Sequence, residues 1–397
     1  MTNKHIAIFQ LVILTYIHFL TDMLGGVIPG ILPELMKEYG FSIAAGSFLV
    51  SLYIFSGNAA QVPAGLTRKK STRPLLIQIG LVMSSVILFA AWVPKSGTAY
   101  PLLVLLSLIV GIGGAIVHPE ALRAVCAIDN KAIPPAVATS VFVTAGFFGY
   151  NCGPLFSGIL VEQWGLRGIA FLLVLILPVF YLLIKAQVRL ADGSGGSKGT
   201  SGLLEGRYKL TFWQIFWCAA CINTACSIIQ GLLPTYLREN GFSLTFCGFS
   251  ALLFGIGAGL GALFTGSVLL KRFVVIKCIQ TQLWFGIPLL AAYILLAPKG
   301  VWAAPLSFVA GTLVGSGFPQ LVVLSRTAAN GPALGVRMGL IVGGTWSFAG
   351  IALWFSGILA DHTSLNIALQ TAPLYLLMTL GLFWLFSHKT TGAGVEK

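Results

Sequence analysis

The chain has 397 residues, 57% of them hydrophobic and only 9% charged, with a mean hydropathy of +0.91. A water-soluble globular domain carries roughly a quarter charged residues, so that class is excluded. The net charge of +13 comes without a soluble basic, aromatic-rich segment, which excludes a nucleic-acid-binding domain and points to anionic lipid headgroups.

Apolar runs long enough to cross a hydrocarbon core of about 30 Å as helices recur from end to end. They lack the period-two alternation of barrel strands. The pattern predicts an all-α polytopic membrane protein with spans over 8–35, 44–67, 74–94, 100–128, 134–161, 167–187, 211–237, 244–270, 274–297, 301–328, 333–360 and 365–387. The first span is too long, and too polar in its middle, for a cleaved secretory signal, and it is expected to be retained. These spans group as two six-helix bundles, 1–187 and 211–397, joined by a Gly- and Ser-rich linker over 188–210. Basic residues cluster in the loops on the side of the N-terminus, at Arg68, Lys69, Lys70, Lys271 and Arg272 among others, while the opposite loops hold isolated ones such as Lys37 and Lys299. Both termini are therefore expected in the cytoplasm.

The halves repeat. "LPELMKEYGFS" at 32–42 matches "LPTYLRENGFS" at 233–243, and "SGILVEQWGL" at 157–166 matches "SGILADHTSL" at 356–365. Six helices, a linker and six more in direct repeat is the plan of transporters whose halves surround an axis along the membrane normal.

Three stretches, "HFLTDM" at 18–23, "HPEALRA" at 118–124 and "LADHTS" at 359–364, give the chain a closer likeness. It resembles the major facilitator superfamily, and within it the fosmidomycin-resistance-like bacterial subgroup. The resemblance implies proton-driven efflux of small drugs from a bacterial inner membrane, and helices one, four, seven and ten around a central cavity. "GYNCGPLFSG" at 149–158 is similar to the antiporter motif of the fifth helix. "GLTRKKSTR" from Gly65 departs from the family pattern, because Lys69 stands where an Asp is expected; the repeat copy from Gly266 also lacks an acid.

Ionisable residues inside a bilayer cost several kcal/mol unless paired or wet. At 1.5 Å per residue, His18 and His118 both fall about 15 Å from the cytoplasmic side, Asp22 about 21 Å and Glu120 about 12 Å. One reading makes His18 with Asp22, and Glu120 with Arg123, structural pairs on a shared helix face. The other makes Asp22, Glu120, His18 and His118 proton carriers and Arg123 the clamp for an anionic substrate. Binding of a divalent metal by the same cluster is a third. Asn58 and Gln61 on the second helix, Asn151 on the fifth, and Asn223, Ser227 and Gln230 on the seventh are candidate substrate contacts, with interhelical hydrogen bonding as the alternative. Pro119 is expected to kink the fourth helix. Arg326 and Arg337, near helix ends, are expected to snorkel to headgroups. "GIGAGLGALFTG" at 255–266 matches no phosphate loop. The expected protein is a monomeric, non-enzymatic secondary transporter without a cofactor, whose partners are protons, a small molecule and the lipid bilayer. Export leads, with uptake of an organic anion or metal chelate as the alternative.

Overall fold

The computed structural model describes residues 3–61, 73–129, 131–190, 210–326 and 328–391. Gly65, Lys69 and most of the expected linker, 191–209, lie outside the described residues. Among the described residues no strand forms, and the one β contact is an isolated bridge between Thr211 and Ala329.

A helix stands in each of the twelve expected spans, ten of the described helices being long and apolar enough to cross a membrane; residues 62–67 of the second span lie outside the described residues. In the first half they are α1 (Asn3–Tyr39), α2 (Ile43–Ala59), α3 (Leu75–Trp92), α4 (Ala99–Cys126), α5 (Pro135–Trp164) and α6 (Leu166–Lys185). In the second they are α7 (Phe212–Glu239), α8 (Leu244–Ser267), α9 (Val275–Leu296), α10 (Val301–Ser325), α11 (Val336–His362) and α12 (Leu365–Thr391). Backbone polar groups have no water to meet inside hydrocarbon, so each span satisfies them internally. Glycines with positive φ end α1 and α7 at repeat-related places, Gly40 (φ 68°) and Gly241 (φ 86°); the missing Cβ permits this left-handed turn. Helix α7 opens with a capping box, in which Gln214 N–H donates to Thr211 Oγ1 at 3.4 Å and Thr211 N–H to Gln214 Oε1 at 2.8 Å.

Several spans depart from a uniform α-helix, and Val86–Trp92 of α3 and Leu166–Leu172 of α6 wind as 3-10 helix. Pro119 sits inside α4 without ending it. Helix α10 is interrupted at Gly315–Ser316, between α-helical Ala304–Val314 and Gly317–Ser325. Helix α11 contains a π-helical stretch, Leu340–Gly344, of the kind that often marks functional positions.

The chain forms two compact units. Unit 1 takes the described residues of Met1–Phe41, Leu52–Lys198 and Phe242–Phe249; unit 2 takes those of Ser42–Ser51, Gly199–Gly241 and Ser250–Lys397. In unit 1, α1 lies closely along α5. A Cβ on Gly149 would collide with the Phe19 carbonyl, one on Gly153 with the Met23 carbonyl, and one on Gly26 with the Tyr150 carbonyl. The glycines of the fifth-helix motif thus seat α5 on α1, which is close helix packing by small residues. In unit 2, α7 is the central helix, with 89% of its most apolar window buried, against 33% for α6 in unit 1. Lipid therefore cannot be what faces the polar side chains of α7.

Candidate functional site

Helix α1 sets the site, because residues four apart share a helix face. His18 Nε2 lies 3.3 Å from Asp22 Oδ2, and His118 Nε2, from α4, lies 2.8 Å from Asp22 Oδ1. One carboxylate thus takes an imidazole on each oxygen. His18 Nδ1 meets the Phe142 carbonyl of α5 at 2.7 Å, and the amide nitrogen of Gln61, just past α2, lies 3.1 Å from His118 Nδ1. The imidazole rings meet edge to face at 5.0 Å, and His18 stacks on Phe142 at 4.1 Å. His18 is 9% exposed, so the cluster is shielded without being sealed.

The hydrogen-bond partners fix where the protons sit. A carbonyl only accepts, so His18 Nδ1 carries a proton for Phe142. Gln61 Nε2 also donates to the Gly57 carbonyl at 3.0 Å, which orients its amide with the NH2 group toward His118. His118 Nδ1 is then the acceptor, and its proton sits on Nε2, pointing at Asp22. His18 Nε2 and Asp22 Oδ2 remain, two lone-pair carriers facing each other. A proton between them, 3.3 Å apart, would complete the hydrogen bonding of the cluster.

Asp22, His18 and His118 also offer three ligand atoms within 4.8 Å of one another, a donor set that suits a divalent cation. Bonds of about 2.0 Å to a tetrahedral zinc would hold neighbouring ligand atoms about 3.3 Å apart. The 2.8 Å from His118 to Asp22 is shorter and is the length of an N–H···O hydrogen bond.

Space for the cluster comes from Gly146 on α5, where a Cβ would collide with Asp22 Oδ2 and the His18 ring. Tyr53 lies against Gly25, one turn beyond Asp22, and its ring is parallel to that of Tyr150 at 6.4 Å. Phe142, Gly146, Tyr53 and Tyr150 escape a reading of the sequence, since each is an ordinary residue of an apolar helix; only the fold brings them to Asp22.

Glu120 and Arg123 form an ion pair within α4, Arg123 Nη1 donating to Glu120 Oε1 at 3.1 Å, with side chains 3% and 21% exposed respectively. Of the other candidates, Asn58 and Asn151 bond within their own helices and Asn223 to a neighbouring one. Asn58 donates to the Ile54 carbonyl and Asn151 to the Phe147 carbonyl, both at 2.8 Å, while Asn223 donates to Thr345 Oγ1 at 2.9 Å and is 1% exposed. Ser227 is buried and Gln230 partly exposed. Arg337 does not snorkel. Its guanidinium gathers the carbonyls of Ser325, Arg326, Ala328 and Pro332 at 2.8–3.2 Å and lies 5.6 Å from the Phe212 ring. The last carbonyls of a helix lack intrahelical partners and accept from a nearby cation, which is what holds the guanidinium here.

The second half carries a neutral copy of this site. At the offset of "LPELMKEYGFS", Asp22 corresponds to Asn223 and His18 to Ala219; at that of "SGILVEQWGL", Gly146 corresponds to Thr345. "HPEALR" at 118–123 lines up with "FPQLVV" at 318–323, so His118, Glu120 and Arg123 become Phe318, Gln320 and Val323.

Comparison with known proteins agrees with this architecture. The chain is 22% identical over 391 residues to the fosmidomycin resistance protein of Escherichia coli, covering 93% of this chain and 90% of that one. It is 24% identical over 240 residues to the multidrug resistance protein MdtG of Citrobacter koseri, covering 56% of this chain and 55% of that one. The fold superposes on a bacterial homologue of the human lysosomal transporter Spinster, in an inward-facing and occupied conformation, with a TM-score of 0.70 at 16% identity, covering 95% and 96% of the two chains. It superposes on a variant of the nucleoside transporter NupG with a TM-score of 0.72 at 13% identity, covering 95% and 99%. With residues 14–352 matching its model, the chain belongs to the Major Facilitator Superfamily, a family of transporters.

Proposed function

We propose that the protein is a proton-coupled antiporter that exports a small anionic organic compound by alternating access, from a bacterial inner membrane with both termini in the cytoplasm. The observation that carries this reading is the place for one proton between His18 and Asp22. With the proton, the cluster is a neutral sum of an imidazolium and a carboxylate; without it, a net negative charge sits inside the membrane. That change of charge is what a proton-driven cycle uses.

Arg123 and Glu120 supply the second element. The guanidinium fork matches a phosphonate or carboxylate, and its present partner is a carboxylate. Arg123 exchanges Glu120 for the substrate anion, so the ion pair holds the place that the substrate takes. The relatives named for resistance to fosmidomycin and to multiple drugs support export over uptake.

The test is transport of fosmidomycin, then of a panel of phosphonates, carboxylates and metal chelates, into proteoliposomes under an imposed pH gradient. Export coupled to protons gives accumulation against the concentration gradient toward the acidic side. Accumulation with the proton flow makes the protein an importer, and accumulation indifferent to pH removes proton coupling. Arg123→Lys is expected to lose most anion transport, and an unchanged rate removes the clamp.

A further inference from the structure

The donors gathered at Asp22 suit a second occupant besides a proton. Asp22, His18 and His118 bring two imidazole nitrogens and a carboxylate within 4.8 Å of one another, all inside unit 1. Two imidazoles with one carboxylate are the ligands of zinc sites that keep a fourth position open. Magnesium and calcium, which take oxygen ligands, are poorly served by them. The ligand atoms are reachable, since the side chains of Asp22 and His118 are 16% and 24% exposed.

A metal-bound imidazole gives one nitrogen to the ion and donates the proton on the other to an acceptor that fixes the ring. His18 is held in this way already, its Nδ1 on the Phe142 carbonyl at 2.7 Å and its Nε2 turned to Asp22 Oδ2. The 3.3 Å between those two atoms matches the spacing of about 3.3 Å between neighbouring ligands of a tetrahedral zinc. Gly146 keeps a Cβ-sized space against both of them. A cation bound there takes the place of a proton, so the two exclude each other.

His118 is the ligand that has to be switched. With its proton on Nε2 it faces Asp22 Oδ1 at 2.8 Å as a hydrogen-bond donor. To ligate, it carries the proton on Nδ1 instead, and Nε2 moves away from Oδ1 by about 0.5 Å to reach the tetrahedral spacing. Gln61 then turns its amide, so that the carbonyl oxygen accepts from Nδ1–H and the bond to Gly57 is given up. An amide has a donor and an acceptor to offer and serves either tautomer; a carboxylate serves only the second.

We propose that His18, Asp22 and His118 form a binding site for a divalent transition cation of the zinc class, with Gln61 as the positioning residue that sets His118 for hydrogen bonding or for the metal. The site does not rest on proton-coupled export, because binding the cation is independent of what is transported and in which direction.

The experiment is calorimetric titration of the full chain in detergent with zinc, and absorption spectroscopy with cobalt in its place to identify the ligands. One zinc is expected to bind per chain, undisturbed by excess magnesium. Affinity is expected to fall about a hundredfold in His18→Gln, in Asp22→Asn and in His118→Gln, since even an outer partner of a ligand is worth about 10–100-fold. His5→Gln keeps wild-type affinity. Gln61→Glu accepts from His118 Nδ1–H without turning and is expected to bind about tenfold more tightly, a gain that structural damage would not produce. Zinc binding that survives both histidine substitutions, a thiolate band in the cobalt spectrum from any of the seven cysteines, or a Gln61→Glu affinity no higher than wild type overturns the site. Should a ligand variant fail to fold, the wild-type cobalt spectrum and the Gln61→Glu titration decide. Failure here leaves the export reading untouched, which the pH-gradient transport assay judges separately.

Discussion

The two halves of this transporter share a backbone plan and differ in what they do with one polar position on their first helix. In the first half the position is Asp22, and Gly146 leaves room for a carboxylate held by two imidazoles. In the second it is Asn223, and Thr345 fills that room and takes the amide's hydrogen bond at 2.9 Å. The first arrangement sets a carboxylate against two imidazoles; the second pairs neutral groups. A duplicated fold can therefore keep titratable chemistry in one copy and use the other as scaffold.

Making the first half resemble the second breaks the contrast most severely. Asp22→Asn removes the carboxylate charge that both imidazoles face, and gradient-driven accumulation in proteoliposomes is expected to fall to that of empty vesicles. Full uphill transport by this variant contradicts the assignment.

The reverse exchange, Asn223→Asp, places a charge at a position 1% exposed, where the partner shown among the described residues is Thr345. Breaking the charge balance of so buried a position is expected to cost about 3–5 kcal/mol, seen as a lower unfolding midpoint in detergent. An undiminished midpoint means that this half tolerates a carboxylate as the first does.

Gly146→Thr copies Thr345 into the first half. The added side chain meets Asp22 and His18, and overpacking of this kind costs about 1–3 kcal/mol. A transport loss out of proportion to that destabilisation locates the damage at the cluster. Thr345→Gly, the opposite change, removes a hydrogen bond from Asn223 and is expected to leave proton coupling intact, which a pH-gradient transport assay reads directly.

Arg337→Lys sharpens the comparison least. A lysine cannot fork to the carbonyls after α10, and about 1 kcal/mol of stability is expected to go, with transport retained.

Much of this was legible in the sequence because bilayer length and the Lys and Arg pattern are strong constraints. The spans over 8–35 and 211–237, for example, emerged as Asn3–Tyr39 and Phe212–Glu239. His18, Asp22 and His118 were legible as a group because charge inside hydrocarbon demands a partner, and counting residues gave the two histidines equal depth. The pairing of His18 with Asp22 followed from their four-residue spacing, but that His118 joins the same carboxylate did not. The joint grip of His18 and His118 on one carboxylate depends on α4 crossing α1 at that level, and Gly146 matters only because α5 passes there. Arg337 was misread because a position near a helix end suggests headgroups, while the turn after α10 folds its carbonyls back onto the guanidinium. The break in α10 and the π-helical stretch in α11 left no trace in hydropathy, which averages over such local changes of winding.

The central claim is that one proton belongs to the first-half cluster, and nitrogen-15 NMR of the imidazoles tests it most directly. With histidines labelled and His18 assigned through His18→Gln, the account predicts that at neutral pH His18 carries protons on both nitrogens and His118 on Nε2 alone. It predicts further that Asp22→Asn strips the second proton from His18, while Asn223→Ala alters neither ring. A wild-type His18 with a bare Nε2, or one whose protonation is indifferent to Asp22→Asn, would contradict it.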